Sequence, residues 1–520
     1  MDSYDVVIVG YGPVGRMLAL KLGRRERSVL VLERQHSAYP LPRAVHLDDE
    51  TARALQGVGL PPTSLGGIVE PYDDFYEWRN AERETLLRLD WRGRGPSGWN
   101  VSNFFHQPSL EARLDSLVAE SDSVTVRRGQ NVVGHREDAD GVEVEFEDGT
   151  GARGQVRAAF VVGADGANST VRGWLGEDFE DFGYFRDWLV ADVVPHGPFP
   201  LSPPIWQLCD PDRPTTLVPG GPGRRRWEFM RLPGEAPETF ADPERVWELL
   251  RPWGMTPETA ELERCALYTF QARWAKKWQH GRLLLAGDSA HQMPPFAGQG
   301  MCSGIRDAVN LEWKLDLVLG GADPRLLDTY TTERADHVRD FIEFSMELGG
   351  VICISDQDEA RLRDERMKSE LAVGQVSAPR PLPHLGKGLH RGVGNGHAGT
   401  LSIQAVVRGR DGEGLLDDVA GTPGTLIGPR QVVDRIDAAR RRALAAVGVT
   451  VVGLGDEAGE HTVVDVQGAY TSWLGEHGSS AALIRPDFYV YGDAAADFGV
   501  TALADAYLRD IGARAASASR

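Results

Sequence analysis

The stretch VVIVGYGPVGRMLALKL, from Val6 to Leu22, constrains this chain more than any other. A run of hydrophobic β-formers gives way at three glycines to a helical pattern, so a buried strand must turn sharply into a helix whose first N–H groups face outward. Gly10 permits the tight turn, Gly12 lets an anionic ligand reach the backbone, and Gly15 lets the helix pack against the strand. About twenty residues on, SVLVLER reads as a second strand ending in Glu33, an acid placed to accept hydrogen bonds from a ribose. Glycines also mark ordinary turns, and a plain βαβ unit carries no ligand. With both strands, the helix and the acid in register, the segment predicts a Rossmann-type dinucleotide site.

At 520 residues the chain has room for two or three domains with separate cores. Its net charge of −20 speaks against a nucleic-acid partner, which would select a basic face. Cys209, Cys265, Cys302 and Cys353 lie far apart with no CxxC pair, which predicts neither a metal site nor a disulfide framework. No apolar run reaches membrane-spanning length and the first strand leaves no room for a signal peptide, so the expectation is a cytoplasmic protein without a membrane partner.

Helical spacing in HLDDETARALQGVGL and QPSLEARLDSLVAE alternates with strand patterns in VTVRRGQNVVGHRED, GVEVEFEDG and AAFVVGADGANSTVR. Aromatic-rich pieces from Asp73 to Phe105 and a Pro-broken, tryptophan-rich region after Gly183 suit a mixed sheet. GRLLLAGDSAHQMPPFAGQGMCSGIRDAVNLEWKLDLVLGG reads as a strand, a Gly- and Pro-rich loop and an amphipathic helix. The predicted organisation is a nucleotide-binding domain from 1–72, 106–182 and 277–345, and a sheet domain from 73–105 and 183–276. A helical or linker segment covers 346–400, and a separate α/β domain covers 401–520.

Three motifs stand in order: the glycine turn with Glu33, GADGANSTVR around Asp165, and AGDSAHQMPPFAGQG around Asp288. The trio resembles the group A flavoprotein aromatic hydroxylases, which share the p-hydroxybenzoate hydroxylase fold. LPRAVHLDDETARALQGVGL, RRWEFMRLPGE, FAGQGMCSGIRDAVNLEWKL, LLDTYTTERADHV and IRPDFYV extend the likeness over the whole chain and bring it nearest to the 3-(3-hydroxyphenyl)propionate hydroxylases. The fold this implies is α/β: a Rossmann-type FAD-binding domain, an inserted mixed β-sheet substrate domain, and a C-terminal thioredoxin-like α/β domain. That last domain has no cysteine, which leaves it packing or homodimer formation as a role.

By the same resemblance the cofactor is FAD, with NADH or NADPH and O2 as co-substrates. Gly10, Gly12 and Gly15 would hold the pyrophosphate, Glu33 with Arg34 beside it the adenosine ribose, Arg43 and Gln107 the pyrophosphate and ribityl region, and Asp288 the ribityl hydroxyls. Asp165 would lie close to both flavin and nicotinamide, and Pro295, Gly298, Gly300 and Met301 would form the loop under the isoalloxazine ring. The implied reaction is hydroxylation of a small phenolic compound of the 3-hydroxyphenylpropionate kind, with reduced flavin capturing O2 as a C4a-hydroperoxide. Trp206, Phe229, Met230, Tyr268, Phe270 and Gln271 are candidates for the substrate wall. His46 is the candidate for catalysis, since a neutral imidazole with a reference pKa of about 6.5 suits taking a proton from a phenol; the bland alternative is a solvent-facing or helix-capping histidine. Two other functions stay open: oxidation of a polyketide or antibiotic by the same flavin chemistry, through hydroxylation, epoxidation or Baeyer–Villiger reaction, and a non-catalytic flavin-binding module.

Overall fold

The computed structural model describes residues 1–199, 201–374, 380–391, 397–495 and 499–512. Strand Asp2–Val9 leads through the glycine turn into helix Pro13–Gly23 and back to strand Val29–Glu33, paired in parallel with Val6 opposite Val29. On its other side Asp2–Val9 pairs in parallel with Arg153–Gly163, which pairs in turn with Leu283–Leu285. Distant parts of the chain thus lie side by side. Val6, Val7, Ile8, Leu30, Val161 and Leu284 are fully buried, as in parallel sheets covered on both faces, and this is why these strands read as unbroken apolar runs.

The second sheet has eight strands in the order His291–Gln292, Ala260–Ala275, Phe179–Pro195, Arg225–Met230, Thr215–Pro219, Trp206–Leu208, Phe75–Arg79 and Thr85–Asp90. Successive side chains alternate between its two faces. One face meets the nucleotide domain, where Tyr76, Trp188 and Met230 pack with Phe296, Ala297 and Phe341. The other is covered by helix Pro243–Leu250, whose Val246 and Leu250 join Leu189, Trp227 and Phe229. Ser102–Phe105, grouped by sequence with this sheet, instead pairs with His46–Asp48 and Val69–Tyr72 in a small sheet of its own. All four of its residues are buried, which suits the middle strand of three.

Residues beyond the linker form a five-stranded sheet. Thr462–Val463, Thr450–Leu454 and Thr425–Pro429 run parallel, and Ala481–Ile484 and Val490–Ala494 are added antiparallel. This unit docks on the nucleotide domain through a buried polar cluster in which Arg485 reaches Glu333 at 2.7 Å, Lys314 reaches Glu333 at 2.6 Å, and Asn310 bridges Glu333 and Asp487. Stretches 375–379 and 392–396 of the predicted linker, and 496–498 and 513–520 of the predicted C-terminal domain, lie outside the described residues. No helix among the described residues is long and apolar enough to cross a membrane, and no group of three or more His, Cys, Asp or Glu among them could hold a metal ion.

Candidate functional site

The three glycines of the opening turn differ in what surrounds them. Gly10 sits at φ +98°, and a Cβ there would lie 2.4 Å from the Ala164 carbonyl oxygen. A Cβ on Gly15 would lie 2.2 Å from the Gly10 carbonyl oxygen, so these two positions serve the packing of helix against strand. A Cβ on Gly12 would meet nothing within 4 Å among the described residues and no side chain caps the helix that follows, so the positive end of its dipole is open to a ligand. Glu33 accepts from Tyr11 N at 2.8 Å and Gln35 N at 2.7 Å, which fixes its carboxylate at the rim of the turn with acceptor capacity to spare. Arg34 beside it is exposed.

Asp165 caps helix Thr170–Trp174, accepting from Ser169 Oγ at 2.6 Å and Thr170 N at 2.7 Å. Its carboxylate is thereby committed, and what it presents to Gly10 is backbone. Asp288 follows strand Leu283–Leu285, in a turn held by the Gly287 N–H donating to Asp307 at 3.0 Å. Asp307 is itself gripped by His291 at 2.6 Å and Arg334 at 2.9 Å, all of them buried. The Asp288 side chain is open to solvent although protein crowds it closely, as on the floor of a cleft; the crowding pushes its carboxyl up, opposed by His291 and Arg43. Arg43 is exposed, with its guanidinium 4.6 Å over the Tyr39 ring. Its backbone is clamped from two sides, because Gln107 Oε1 accepts from Arg43 N at 2.8 Å and Ala44 N at 2.7 Å while Arg226 donates to the Arg43 carbonyl at 2.6 Å. Gln107 thus holds the segment that carries Arg43, and its amide nitrogen goes to Glu111 at 2.6 Å.

The loop from Pro295 to Gly300 is pinned at three points. Tyr76 donates to the Phe296 carbonyl at 3.1 Å, His46 Nδ1 donates to the Gly298 carbonyl at 3.1 Å, and Arg306 donates to Gln299 Oε1 at 2.9 Å. Arg306 also pairs with Asp48 and Glu50, and Glu50 accepts from Tyr489, just before strand Val490–Ala494 of the C-terminal unit, at 2.8 Å. Gly298 takes φ +64°, and a Cβ there would lie 2.7 Å from His46 Nδ1. Met301 opens helix Gly300–Leu319 half-buried, and Cys302 beneath it is fully buried, with its thiol pushed up to about 12 by burial and its sulfur against the carbonyls of His46 and Gly298. His46 lies stacked 4.9 Å from Trp91 and edge-on to Phe104, 6% exposed. Because Nδ1 carries the proton, Nε2 is a bare acceptor, and it is buried without a partner among the described residues. Burial brings the imidazole down to about 4, so the reference value that favoured it as a base does not hold.

Strand alternation divides the six proposed wall residues in two. Met230 and Phe270 join the cluster around Phe296, and Tyr268 shares their face, lying under the Arg264 guanidinium, which itself binds the Pro42 carbonyl. Trp206, Phe229 and Gln271 point the other way. Phe229 belongs to the cluster under helix Pro243–Leu250, Trp206 meets Trp253 and the Arg79 guanidinium, and Gln271 pairs across the sheet with the exposed Phe185. The sheet covers both faces with aromatics, so composition alone could not tell inner from outer.

A family model described as an FAD binding domain matches residues 3–345, and one described as the HcaD C-terminal domain matches residues 399–509. Over 495 residues the chain is 40% identical to a probable NADH-specific resorcinol 4-hydroxylase of Rhodococcus jostii (strain RHA1), covering 94% of this chain and 92% of that protein. Over 510 residues it is 36% identical to a 3-(3-hydroxy-phenyl)propionate/3-hydroxycinnamic acid hydroxylase of Mycolicibacterium gilvum (strain PYR-GCK), covering 93% and 88%. The chain belongs to the group A FAD-dependent aromatic hydroxylases. The hydroxylase also shares its fold with the flavin-dependent monooxygenase PieE, solved with FAD and substrate, at a TM-score of 0.81 and 22% identity over 98% of this chain and 99% of that one. Its cleft fits the cofactor: the turn at Gly12 is open, Asp288 offers an acceptor on the floor, and the Arg43 guanidinium is exposed at the edge.

Several groups in the hydroxylase's site were not singled out from sequence. Tyr76, Gln207, Thr216 and Glu228 converge from four strands on the inner face: Gln207 donates to the Tyr76 hydroxyl, and Thr216 donates to Gln207 Oε1 at 2.7 Å. In the strand RRWEFM, the alternation of Arg226, Glu228 and Met230 against Trp227 and Phe229 was a usable signal, since buried charge on one face marks where a ligand or a second domain must supply partners.

Proposed function

We propose that this hydroxylase acts on a small meta-substituted phenol, the ring common to resorcinol and 3-hydroxyphenylpropionate, with NADH as electron donor. The observation that carries this reading is His46 Nε2, a buried acceptor without a partner set among Trp91 and Phe104, for which a hydroxylated aromatic ring is the fitting occupant. The two relatives named above support the ring class, and the name of the first supports the choice of NADH. Gly10, Gly12, Gly15 and the N-terminus of helix Pro13–Gly23 receive the FAD pyrophosphate together with Arg43, Glu33 takes the adenosine ribose and Asp288 the ribityl hydroxyls. Pro295, Gly298, Gly300 and Met301 lie along the flavin. Bound FAD supplies the electron storage and oxygen activation that side chains lack. The chain's own work is to orient the ring against the 295–300 loop, with His46 as a polar neighbour, and to exclude water with Met230, Phe270 and Phe296. The C-terminal sheet, three parallel strands followed by two antiparallel ones, supports a thioredoxin-like unit that serves packing.

Anaerobic flavin reduction by NADH in a stopped-flow instrument tests the reading. Resorcinol or 3-hydroxyphenylpropionate is expected to raise the rate at least about tenfold, which needs only about 1.4 kcal/mol of differential stabilisation. Aerobic turnover should then yield a singly hydroxylated ring. Equal rates with and without both phenols, or oxidation confined to polycyclic substrates, overturns it.

A further inference from the structure

Glu228 is a carboxyl on the inner sheet face to which no hydrogen-bond donor is directed among the described residues. It is 5% exposed, and its nearest cation, Arg226, stays 3.9 Å away. Arg226, Thr216 and Tyr76 are committed elsewhere, while Arg264 Nε and Nη2 and Trp188 Nε1 on the same face stay without partners among the described residues and none of them is directed at Glu228. Arg226 gives its N–H groups to Asp192 at 2.7 and 3.0 Å and to the carbonyls of Pro42 and Arg43. Thr216, directly opposite Glu228 on the neighbouring strand, gives its hydroxyl proton to Gln207, and Tyr76 gives its own to Phe296. On the other side the register partner is Val190, which has nothing to give. A buried carboxyl with no donor is costly unless a ligand completes it. Tyr76 ties the polar row on Glu228's face, through Thr216 and Gln207, to the same loop that holds His46.

We propose that Glu228 is a catalytic residue that accepts the proton of the substrate's ring hydroxyl, converting phenol to phenolate as the ring is oxidised. The O–H bond of the phenol breaks, the proton moves to a Glu228 carboxylate oxygen, and the electron pair stays on the phenol oxygen, where it makes the ortho and para carbons electron-rich. The proton lost from the ring carbon as aromaticity returns goes back to the ring oxygen, and the one held by Glu228 leaves for solvent, matching the proton taken up there when the second oxygen atom departs as water. The groups facing Glu228 leave it poised for this. Burial raises its carboxyl to about 7, with Asp192 adding to the rise, while Arg226 on its own strand and Arg264 on strand Ala260–Ala275 oppose it, and Tyr76 is the remaining titratable neighbour. A base near the working pH is the efficient one, and His46, brought down to about 4, is not.

The proposal rests on the phenol reading above, and the experiment separates the two. FAD-loaded protein is titrated with resorcinol, and the ultraviolet difference spectrum reads bound phenolate across mildly acidic to mildly alkaline pH. In the wild type, phenolate should form with an apparent pKa well below the value of about 10 for a free phenol. In Glu228→Gln the phenolate band should be lost over that range, resorcinol should bind at least about tenfold more weakly, and the rising limb of the pH profile for product formed per NADH should vanish. Should Glu228→Gln fail to accumulate with FAD, Glu228→Asp decides the same point, since it keeps a proton acceptor one carbon further back: the phenolate band should persist with weaker binding, and an unaltered affinity and apparent pKa would overturn the proposal. An unchanged band and profile in Glu228→Gln would also overturn it. A wild type that hydroxylates no phenol overturns the substrate reading, and Glu228's role with it.

Discussion

Asp288 shows what a single side chain contributes. If it takes the ribityl hydroxyls as proposed, Asp288→Ala removes hydrogen bonds of on the order of 1–3 kcal/mol each. The variant should purify with little flavin, read as flavin absorbance per mole of protein, while full occupancy would remove Asp288 from the site. Its position was legible because the GD pair follows a predicted strand. His46 was legible as a residue and illegible as a base, because its acidity is set by Trp91, Phe104 and Gly298, which approach from other parts of the chain. Glu228 was passed over for the opposite reason: a carboxylate inside an aromatic strand looks like a solvent-facing residue until the second domain is laid over it.

At the scale of the element, the glycine turn makes a sharp comparison. Gly12→Ala places a methyl in open space, so the apoprotein should melt as before while FAD binding weakens, because the methyl stands where the pyrophosphate must approach. Gly15→Ala drives a methyl into the Gly10 carbonyl oxygen and should destabilise the apoprotein itself, by roughly 1–3 kcal/mol as overpacking does. Thermal melts with and without FAD distinguish the two, and matched behaviour would show that the turn does not divide into packing and ligand positions. The βαβ unit was readable because period and punctuation agree there. The substrate sheet was not, because the aromatics Trp206 and Phe229 are covered by another part of the chain, including helix Pro243–Leu250, whose docking side no local pattern in the strands reveals.

Over the whole molecule, the joint between the first and last domains rests on Glu333. Burial alone would raise its carboxyl, but Arg485 and then Lys314 outweigh burial and hold it well below the usual range. A carboxylate depressed in the folded state stabilises above its unfolded pKa, so stability from this group is present at neutral pH and lost as pH falls below about 4.3. Glu333→Gln leaves Lys314 buried without its counter-charge and Arg485 with Asp487 alone. Chemical denaturation at neutral pH should show a loss of about 3–5 kcal/mol, and the acid limb of the melting curve should flatten; a small loss would mean water or movement relieves the pair. The C-terminal α/β pattern was visible in the sequence, but the residues that dock it are spread from Asn310 to Asp487 and share no motif.

The chain connecting Tyr489 through Glu50 and Arg306 to Gln299 bears on how the protein is made. A ribosome delivers the glycine turn first, yet the sheet that holds it waits for Leu283–Leu285, and the anchor on the loop beneath the flavin waits for Tyr489. Contacts so far apart in sequence form late and slowly. During synthesis the early strands of the nucleotide sheet must therefore stay exposed or shielded by other means, and the cofactor can be locked in only when nearly the whole chain has been translated.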